Sequence, residues 1–142
     1  MIRGGDAYNT VASWAEAELD LRFVSLDQYK HLTAEIEAIV AAEDVKGTTG
    51  TVTRIAFFPP LEAKHSESLL KLYQRAAARI GLTVEGEFTG GCADSGFTAA
   101  LGVPTLCGLG PVGGYPHTDQ EFCRLDTLLP RTQALAVTIC AL

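Results

Sequence analysis

Residues 110–122 read GPVGGYPHTDQEF and place one histidine, His117, in a loop rich in glycine and proline. Glycine allows backbone conformations that let a ligand approach the chain closely. Imidazole is a common zinc ligand, and it also exchanges a proton near neutral pH. His117 is therefore the first candidate for chemistry, as a metal ligand or a proton carrier. The alternative is an ordinary polar loop residue.

A metal site needs more donors than one imidazole. His31 and His65 are the other histidines, and neither belongs to an HxxxH or HxD pattern, so both are predicted to face solvent. A catalytic zinc ion takes three protein ligands. The carboxylates near His117 in sequence could contribute only an unspecific site: Asp119, Glu121 and Asp126.

A second candidate is the glycine turn TGGCADSGF, in which Asp94 and Ser95 follow paired glycines. Such a turn before a helix predicts either an anion-binding site or an aspartate N-cap. The tripeptide DSG also occurs in aspartic proteases, but the strand pattern expected around it is missing. A triad of Ser95, His117 and Asp119 would need a GxSxG turn, which this segment does not provide.

Composition limits the classes of partner. The net charge is −6, so no basic surface for a phosphate backbone is predicted, and nucleic acid is not an expected partner. The longest apolar run, ALAVTICAL, is about half of what a bilayer crossing requires, and the N-terminus has no apolar signal region. No membrane partner is expected, and the cytoplasm is the predicted location. The cysteines form no CxxC pair and are predicted to be buried free thiols: Cys92, Cys107, Cys123 and Cys140.

The first third of the chain reads strand, helix, strand. Residues 15–23 alternate between apolar and charged side chains, which is typical of a strand with one wet face. Ser25 and Gln28 form the sequence pattern of a capping box, and apolar residues then recur at helical spacing. Residues 51–58 predict a second strand, which ends at two prolines.

The rest of the chain alternates helix and strand, which is typical of an α/β unit with partly parallel pairing. We place the boundary between two domains near residues 59–64, giving domains 1–60 and 61–142. Pro130 falls in the first turn of the closing helix, where proline is tolerated. The predicted elements are a helix capped near Ser66 and ended by Gly81, a strand over 82–88, a short helix ended by Gly102, a strand over 103–110 and a closing helix from Asp126 or Thr127.

Four segments, in order, resemble the M20 family of zinc metallopeptidases, of the glutamate carboxypeptidase and aminoacylase type. GGDAYNTV before a strand ending ELDLRF is similar to the entry of that family's lid domain. EFTGGCADSGFTAALGVPTLCGLGP is similar to its glycine turn, helix and following strand. VGGYPHTDQEF is similar to its histidine loop, and RLDTLLPRTQALA to its closing helix. The resemblance covers nearly the whole chain.

The resemblance implies an α+β lid half, 1–60, with a partial ferredoxin-like β-α-β pattern, and an α/β remnant of the zinc-binding catalytic domain, 61–142, ordered α-β-α-β-α. It implies zinc as the family's cofactor and dimerisation through the lid. Residue by residue, His117 matches the last zinc ligand. Asp94 matches the acid of the glycine turn beside the site, and Asn9 and Arg22 match lid residues near the substrate.

The departures from the family pattern decide the functional expectation. The family's other zinc ligands and its catalytic glutamates belong to an N-terminal half that the 142 residues do not contain. Phe58 stands where several relatives carry an arginine. One imidazole does not hold a catalytic zinc ion. We therefore expect a truncated, M20-peptidase-like chain that holds no zinc stably and is not an enzyme alone. We assign a catalytic role to none of its residues.

Three alternatives stay open. The chain is the C-terminal half of a split di-zinc amidohydrolase acting on peptides or N-acyl amino acids, or a homo-oligomeric module that binds an amino-acid-like or peptide-like ligand. The third is a small hydrolase that uses Asp94, His117 and Glu121. A separate N-terminal half would favour the first, and metal-free ligand binding the second. Because half of a sheet leaves apolar edges uncovered, a homodimer or larger homo-oligomer is predicted.

Overall fold

A computed structural model describes residues 1–142, in which four α-helices accompany two antiparallel sheets of two strands each. Short 3-10 turns, Ala63–His65 and Leu125–Thr127, precede the second and fourth helices. This mixture of helices and strands confirms the predicted α/β class. In chain order the elements are β1 (Ile2–Gly4), β2 (Ala15–Ala17), α1 (Leu26–Ala41), α2 (Glu67–Ala78), α3 (Ser95–Ala100), β3 (Gly113–Gly114), β4 (Phe122–Cys123) and α4 (Leu128–Ile139).

Helix α1 begins at the capping box that the sequence predicts. The Ser25 Oγ accepts a hydrogen bond from the backbone N–H of Gln28 at 3.1 Å. The Gln28 side chain reaches back and accepts from the backbone N–H of Val24 at 2.8 Å. Two N–H groups at the helix entry are thereby satisfied, which fixes where the helix starts.

Ser25→Ala is expected to destabilise the chain by about 1 kcal/mol, because it removes an acceptor at the N-terminus of α1. Ser66 is a matched control, since it also precedes a helix but its side chain makes no capping bond, contrary to the sequence prediction. Urea denaturation of both alanine variants measures the difference. Equal losses for the two would show that the Ser25 bond adds nothing to stability.

Aromatic contacts hold extended chain against α1. The Tyr29 ring lies 4.8 Å from that of Phe23 and 4.6 Å from that of Phe57, measured between centroids. The Arg54 guanidinium sits over Phe57, 5.6 Å from the ring centroid, and donates to the Tyr29 hydroxyl at 2.8 Å. The segments before and after α1 are thus joined to it by side chains, without a shared sheet.

The strands are shorter than the sequence predicts, and the predicted parallel pairing does not form. Of residues 15–23 only Ala15–Ala17 is a strand, which pairs with β1 so that Ile2 lies opposite Ala17. Segments 51–58, 82–88 and 103–110 contain no strand. Strand formation needs a run of backbone hydrogen bonds to a neighbouring strand, and these segments have no such ladder, although the Thr105 N–H donates to the His65 carbonyl at 2.9 Å.

Helices α2 and α3 end at the glycines that the sequence predicts. Gly81 has φ +75°, and the next residue, Leu82, donates its N–H to the carbonyl of Ala77 at 3.0 Å. The same pattern ends α3 at Gly102, where φ is +80°. This is the Schellman arrangement, which favours glycine because residues with a side chain rarely adopt a positive φ.

The core lies between α2 and α4. Its centre consists of Tyr73 and Ala77 of α2 with Ala134 of α4. Pro130 lies in the first turn of α4, as predicted, and leaves the helix intact. Half-buried apolar residues pack around the centre: Leu82, Val84, Leu106, Leu109 and Leu135.

Many large apolar side chains stay uncovered. Only 8 of 142 residues are buried, and the total accessible surface is 11272 Å². A folded monomer of 15.1 kDa exposes about 7,100 Å², so roughly 4,200 Å² here would be covered in a self-sufficient domain. Large side chains on the unpaired segments stand in solvent, with Ile55 86% and Phe88 76% exposed.

The cysteines are free, as predicted, but all four are exposed, so the prediction of buried thiols is wrong. Three of them lie on or beside loops and short strands that nothing covers, and Cys140 follows the last residue of α4. None of the helices combines the length and the apolarity that crossing a bilayer would take. The domain division at residues 59–64 stays a prediction.

The first sixty residues meet the rest of the chain at α3. Gly96 is buried there against the backbone of Pro59, which is itself buried. A Cβ atom on Gly96 would overlap the Pro59 carbonyl oxygen and stand 2.9 Å from its carbonyl carbon. Beside this contact the rings of Phe58 and Phe97 meet edge to face at 5.6 Å. The glycine therefore permits a direct approach of two backbones.

Glu62 makes a second connection. One carboxylate oxygen accepts from Lys64 at 2.8 Å, and the other accepts from the backbone N–H of Leu26, at the start of α1, at 3.4 Å. The hydrogen bond from Lys64, reinforced by the one from Leu26, lowers the pKa of the Glu62 carboxyl below its ordinary value.

Lowering the pH is expected to reduce the stability of the wild-type protein more than that of the Glu62→Gln variant. Since the folded pKa of Glu62 is lowered, the unfolded state binds the proton more tightly, and this contribution fades as the pH falls below roughly 4.3. Urea midpoints between pH 7 and pH 3 measure the effect. Glu87→Gln serves as the control, because Glu87 is exposed and makes no ion pair. If the urea midpoints of wild type and Glu62→Gln fall equally with pH, ionised Glu62 does not contribute to stability.

Candidate functional site

His117 lies in the loop of a small hairpin. Strands β3 and β4 pair antiparallel, with Gly114 opposite Phe122, and residues 115–121 connect them. His117 has φ +65° and Tyr115 has φ +54°. Both values lie in the left-handed region, which residues other than glycine rarely adopt. The imidazole is exposed and makes no hydrogen bond. The loop thus presents His117 to solvent on a strained backbone, a condition that occurs often at functional sites.

Two residues that the sequence analysis missed hold this hairpin in place. Arg131, in α4, donates to the carbonyls of Gly108 and Gly110, each at 3.1 Å. Thr127, just before α4, accepts from the N–H of Val112 at 2.9 Å. These bonds tie the glycine loop before β3 to the start of α4. No local sequence pattern distinguishes the two residues, because each bonds to backbone groups about twenty positions away.

An ion pair closes the base of the same hairpin. Arg124, which follows β4, contacts the Asp126 carboxylate at 2.6 Å. This hydrogen bond lowers the pKa of Asp126 and raises the pKa of Arg124. The Arg124 N–H also donates to the carbonyl of Val112 at 2.8 Å, which extends the ladder by one bond. Asp126 is thereby engaged with Arg124, and not with His117.

The glycine turn before α3 meets the predicted lid arginine. Arg22 is held by two hydrogen bonds to the carboxylate of Asp20, at 3.0 and 3.1 Å, and its third nitrogen donates to the Gly90 carbonyl at 3.4 Å. Asp94 follows this turn and precedes α3, but its side chain makes no capping bond. The structure therefore brings Arg22 to the glycine turn and leaves the Asp94 carboxylate free of the helix.

Asn9 lies at the tip of the hairpin formed by β1 and β2. It is an exposed turn residue, and it makes no hydrogen bond with Arg22, Asp94 or His117. The base of this loop is held by a bond from the Trp14 indole to Asp6 at 3.4 Å. No hydrogen bond joins any two of the four predicted substrate-contacting and metal-binding residues. Their assignment as site residues stays a prediction.

The donors of this chain do not fit a complete zinc site. No three side chains of histidine, cysteine, aspartate or glutamate come together in an arrangement that could hold a metal ion. Catalytic zinc needs three protein ligands and an open position for water. His117 alone offers one nitrogen, and the neighbouring acids of its loop, Asp119 and Glu121, point to no shared centre with it.

A family model described as peptidase family M20/M25/M40 matches residues 6–141. The match includes each of the segments that carry Asn9, Arg22, Asp94 and His117. No curated protein and no solved structure matches the chain.

Proposed function

Because the chain belongs to peptidase family M20/M25/M40, we propose that its 142 residues supply part of a peptidase-like active site and do not hydrolyse peptides by themselves. Zinc is the cofactor that family membership suggests. In this proposal His117 contributes one ligand, and the remaining ligands and the catalytic base come from residues outside these 142.

The donor set is the observation that carries this proposal. One exposed imidazole on a strained loop is present, and it belongs to no group of three side chains that could hold a metal ion. A single imidazole neither retains zinc against water nor lowers the pKa of a bound water enough for attack. Asn9, Arg22 and Asp94 are the residues that we propose to contact the substrate once the site is complete, since Arg22 already rests on the glycine turn.

The uncovered surface supports an assembly. Segments 51–58, 82–88 and 103–110 expose both apolar side chains and backbone hydrogen-bonding groups. Unpaired edges and apolar patches of this size drive association. We propose that the chain forms a homodimer or larger homo-oligomer, or joins a separate polypeptide that carries the other half of the site. Four exposed free thiols suit a reducing compartment, and the cytoplasm is the location we propose.

Pure protein incubated with zinc and then dialysed is expected to retain well under one zinc ion per chain by elemental analysis. It is also expected to show no hydrolysis of dipeptides or N-acyl amino acids above a protein-free blank. His117→Ala is the matched control and should leave both results unchanged. About two zinc ions per chain, lost in His117→Ala together with turnover, would overturn the proposal.

A second arm separates the split-enzyme alternative from the binding module. A polypeptide that carries the other ligands of the family is mixed with this chain, and hydrolysis is measured with His117 intact or replaced by alanine. Turnover that requires His117 supports a shared site. The binding module is favoured instead by metal-free binding of an amino acid or dipeptide in calorimetry, weakened by Arg22→Gln. An Arg22→Gln variant that binds equally well would count against the proposed contact.

A further inference from the structure

An open groove of about 250 Å³ runs between α2 and α4, away from the residues considered so far. Four of its six lining residues are apolar, which we call its floor, and the other two are arginines. The lining residues are Leu72, Arg75, Ala76 and Arg79 from α2 and its C-terminal end, with Val137 and Ala141 from α4 and the residues after it.

Arg75 and Arg79 are the arginines of this chain without a partner. Neither forms an ion pair or a side-chain hydrogen bond, although acidic residues outnumber basic ones, 17 to 11. Each of the other five arginines has a partner. Arg3 pairs with Glu16, Arg22 with Asp20 and Arg124 with Asp126. Arg54 donates to the Tyr29 hydroxyl, and Arg131 donates to carbonyls of the glycine loop. Two free guanidinium groups therefore coincide with one groove.

The charge on this face of α2 is unbalanced. Lys71, Arg75 and Arg79 follow one another at intervals of four residues, so they lie along one side of the helix. Like charges at this spacing destabilise a helix. The helix dipole favours cations at this end and offsets part of that cost. The dipole does not account for the apolar residues that line the same groove as the two arginines. A bound acid would neutralise both charges.

We propose that this groove binds a short anionic amphiphile, with its acid group on Arg75 and Arg79 and its aliphatic chain on the apolar floor. Guanidinium groups bind carboxylate and phosphate oxygens through paired hydrogen bonds. The two side chains start about 5–6 Å apart, within reach of one acid group. A carboxylate and a phosphate ester share this chemistry, and the experiment distinguishes them.

The size of the groove sets the class of ligand. A volume of about 250 Å³ corresponds to roughly eight water molecules at liquid density. One turn of helix, about 10 Å across and 5.4 Å long, is larger than this volume, which matches a slimmer ligand better. An aliphatic chain of about eight carbons on the floor removes apolar surface from water on both sides.

Calorimetry with the full chain is expected to show octanoate binding more tightly than hexanoate by roughly fourfold, since each methylene group buried in part adds to affinity. Octyl phosphate tests the second source of the acid group, and the tighter of the two identifies the headgroup. Backbone amide shifts should localise the change to α2 and α4. Acetate or octylammonium binding as tightly as octanoate would overturn the proposal, because the floor or the arginines would then play no part.

Arg75→Gln combined with Arg79→Gln is expected to weaken octanoate binding at least about tenfold, by removing hydrogen bonds to a charged group. Glutamine keeps a helix propensity close to that of arginine, so α2 should stay folded. Arg3→Gln is the charge control and should bind normally, because Arg3 lies on the distant β1. Ala141→Trp fills the groove from an exposed position and should also weaken binding. Unchanged affinity in both groove variants would refute the site.

Discussion

Gly96→Ala is expected to lower the free energy of unfolding by about 2 kcal/mol or more. In an open helix this change would stabilise by about 1 kcal/mol, because alanine has the higher helix propensity. Here the new Cβ overlaps the Pro59 carbonyl oxygen, which belongs to the backbone and cannot rotate away. Overpacking of this kind typically costs 1–3 kcal/mol and forces the backbone to shift. We expect α3 to separate from Pro59, which removes one of the contacts between the first sixty residues and the rest.

Gly110→Ala is the matched control. Nothing lies within 4 Å of a Cβ built on Gly110, and its φ is not in the positive range that favours glycine. That variant should be neutral or slightly stabilising, because it reduces the freedom of the unfolded chain. Urea denaturation, with the separation of the Phe58 and Phe97 rings followed by near-ultraviolet circular dichroism, measures both. A Gly96→Ala protein as stable as Gly110→Ala would show that the backbone contact does not form.

Sedimentation equilibrium at micromolar concentration is expected to give a mass of at least twice the 15.1 kDa of one chain. The roughly 4,200 Å² of surface in excess of a folded monomer exceeds what a standard interface buries in total, about 1,600 Å². An interface at the larger, obligate end of the range is therefore expected. A single species of one chain's mass would contradict the proposed assembly.

Ile55→Lys is expected to weaken this association at least about tenfold, equivalent to about 1.4 kcal/mol. Ile55 is 86% exposed on the unpaired segment 51–58, and a lysine on such an edge opposes strand pairing. Val45→Lys is the control, since Val45 is 65% exposed but lies in the loop after α1. Equal effects of the two lysines would indicate a general response to charge and not an interface along 51–58.

The helices could be predicted from the sequence because their signals are local. The Ser25 capping box, the glycines at 81 and 102 and the proline in the first turn of α4 each act within a few residues. Ser66 shows the limit of such signals, because a serine before a helix makes no capping bond when its backbone is already helical.

The strands could not be predicted in the same way. Alternation along 15–23 and the apolar texture of 51–58 describe a side-chain pattern that suits a sheet, but pairing depends on a neighbour distant in sequence. Of the four segments predicted as strands, only 15–23 contains one, and it spans the three residues that pair with β1. The unpaired segments retain the side-chain pattern of strands without the backbone pairing.

The resemblance names candidate site residues one by one, but it does not give their arrangement. The resemblance pointed to Arg22 and to the glycine turn separately, and the bond from Arg22 to Gly90 joins them across 68 positions. Arg131 and Thr127 left no signal, because they support the hairpin through backbone carbonyls and an N–H group. Geometry of this kind depends on tertiary contacts that residue type alone does not specify.

The four solvent-facing thiols place a chemical reporter in several different parts of the molecule. Cys92 belongs to the glycine turn, Cys107 to an unpaired segment, Cys123 to the hairpin and Cys140 to the end of α4. A thiol that becomes slow to alkylate when chains come together marks a region that the contact covers. Without a reductant, the same accessibility lets neighbouring molecules cross-link covalently, so storage conditions will decide whether a purified sample stays uniform.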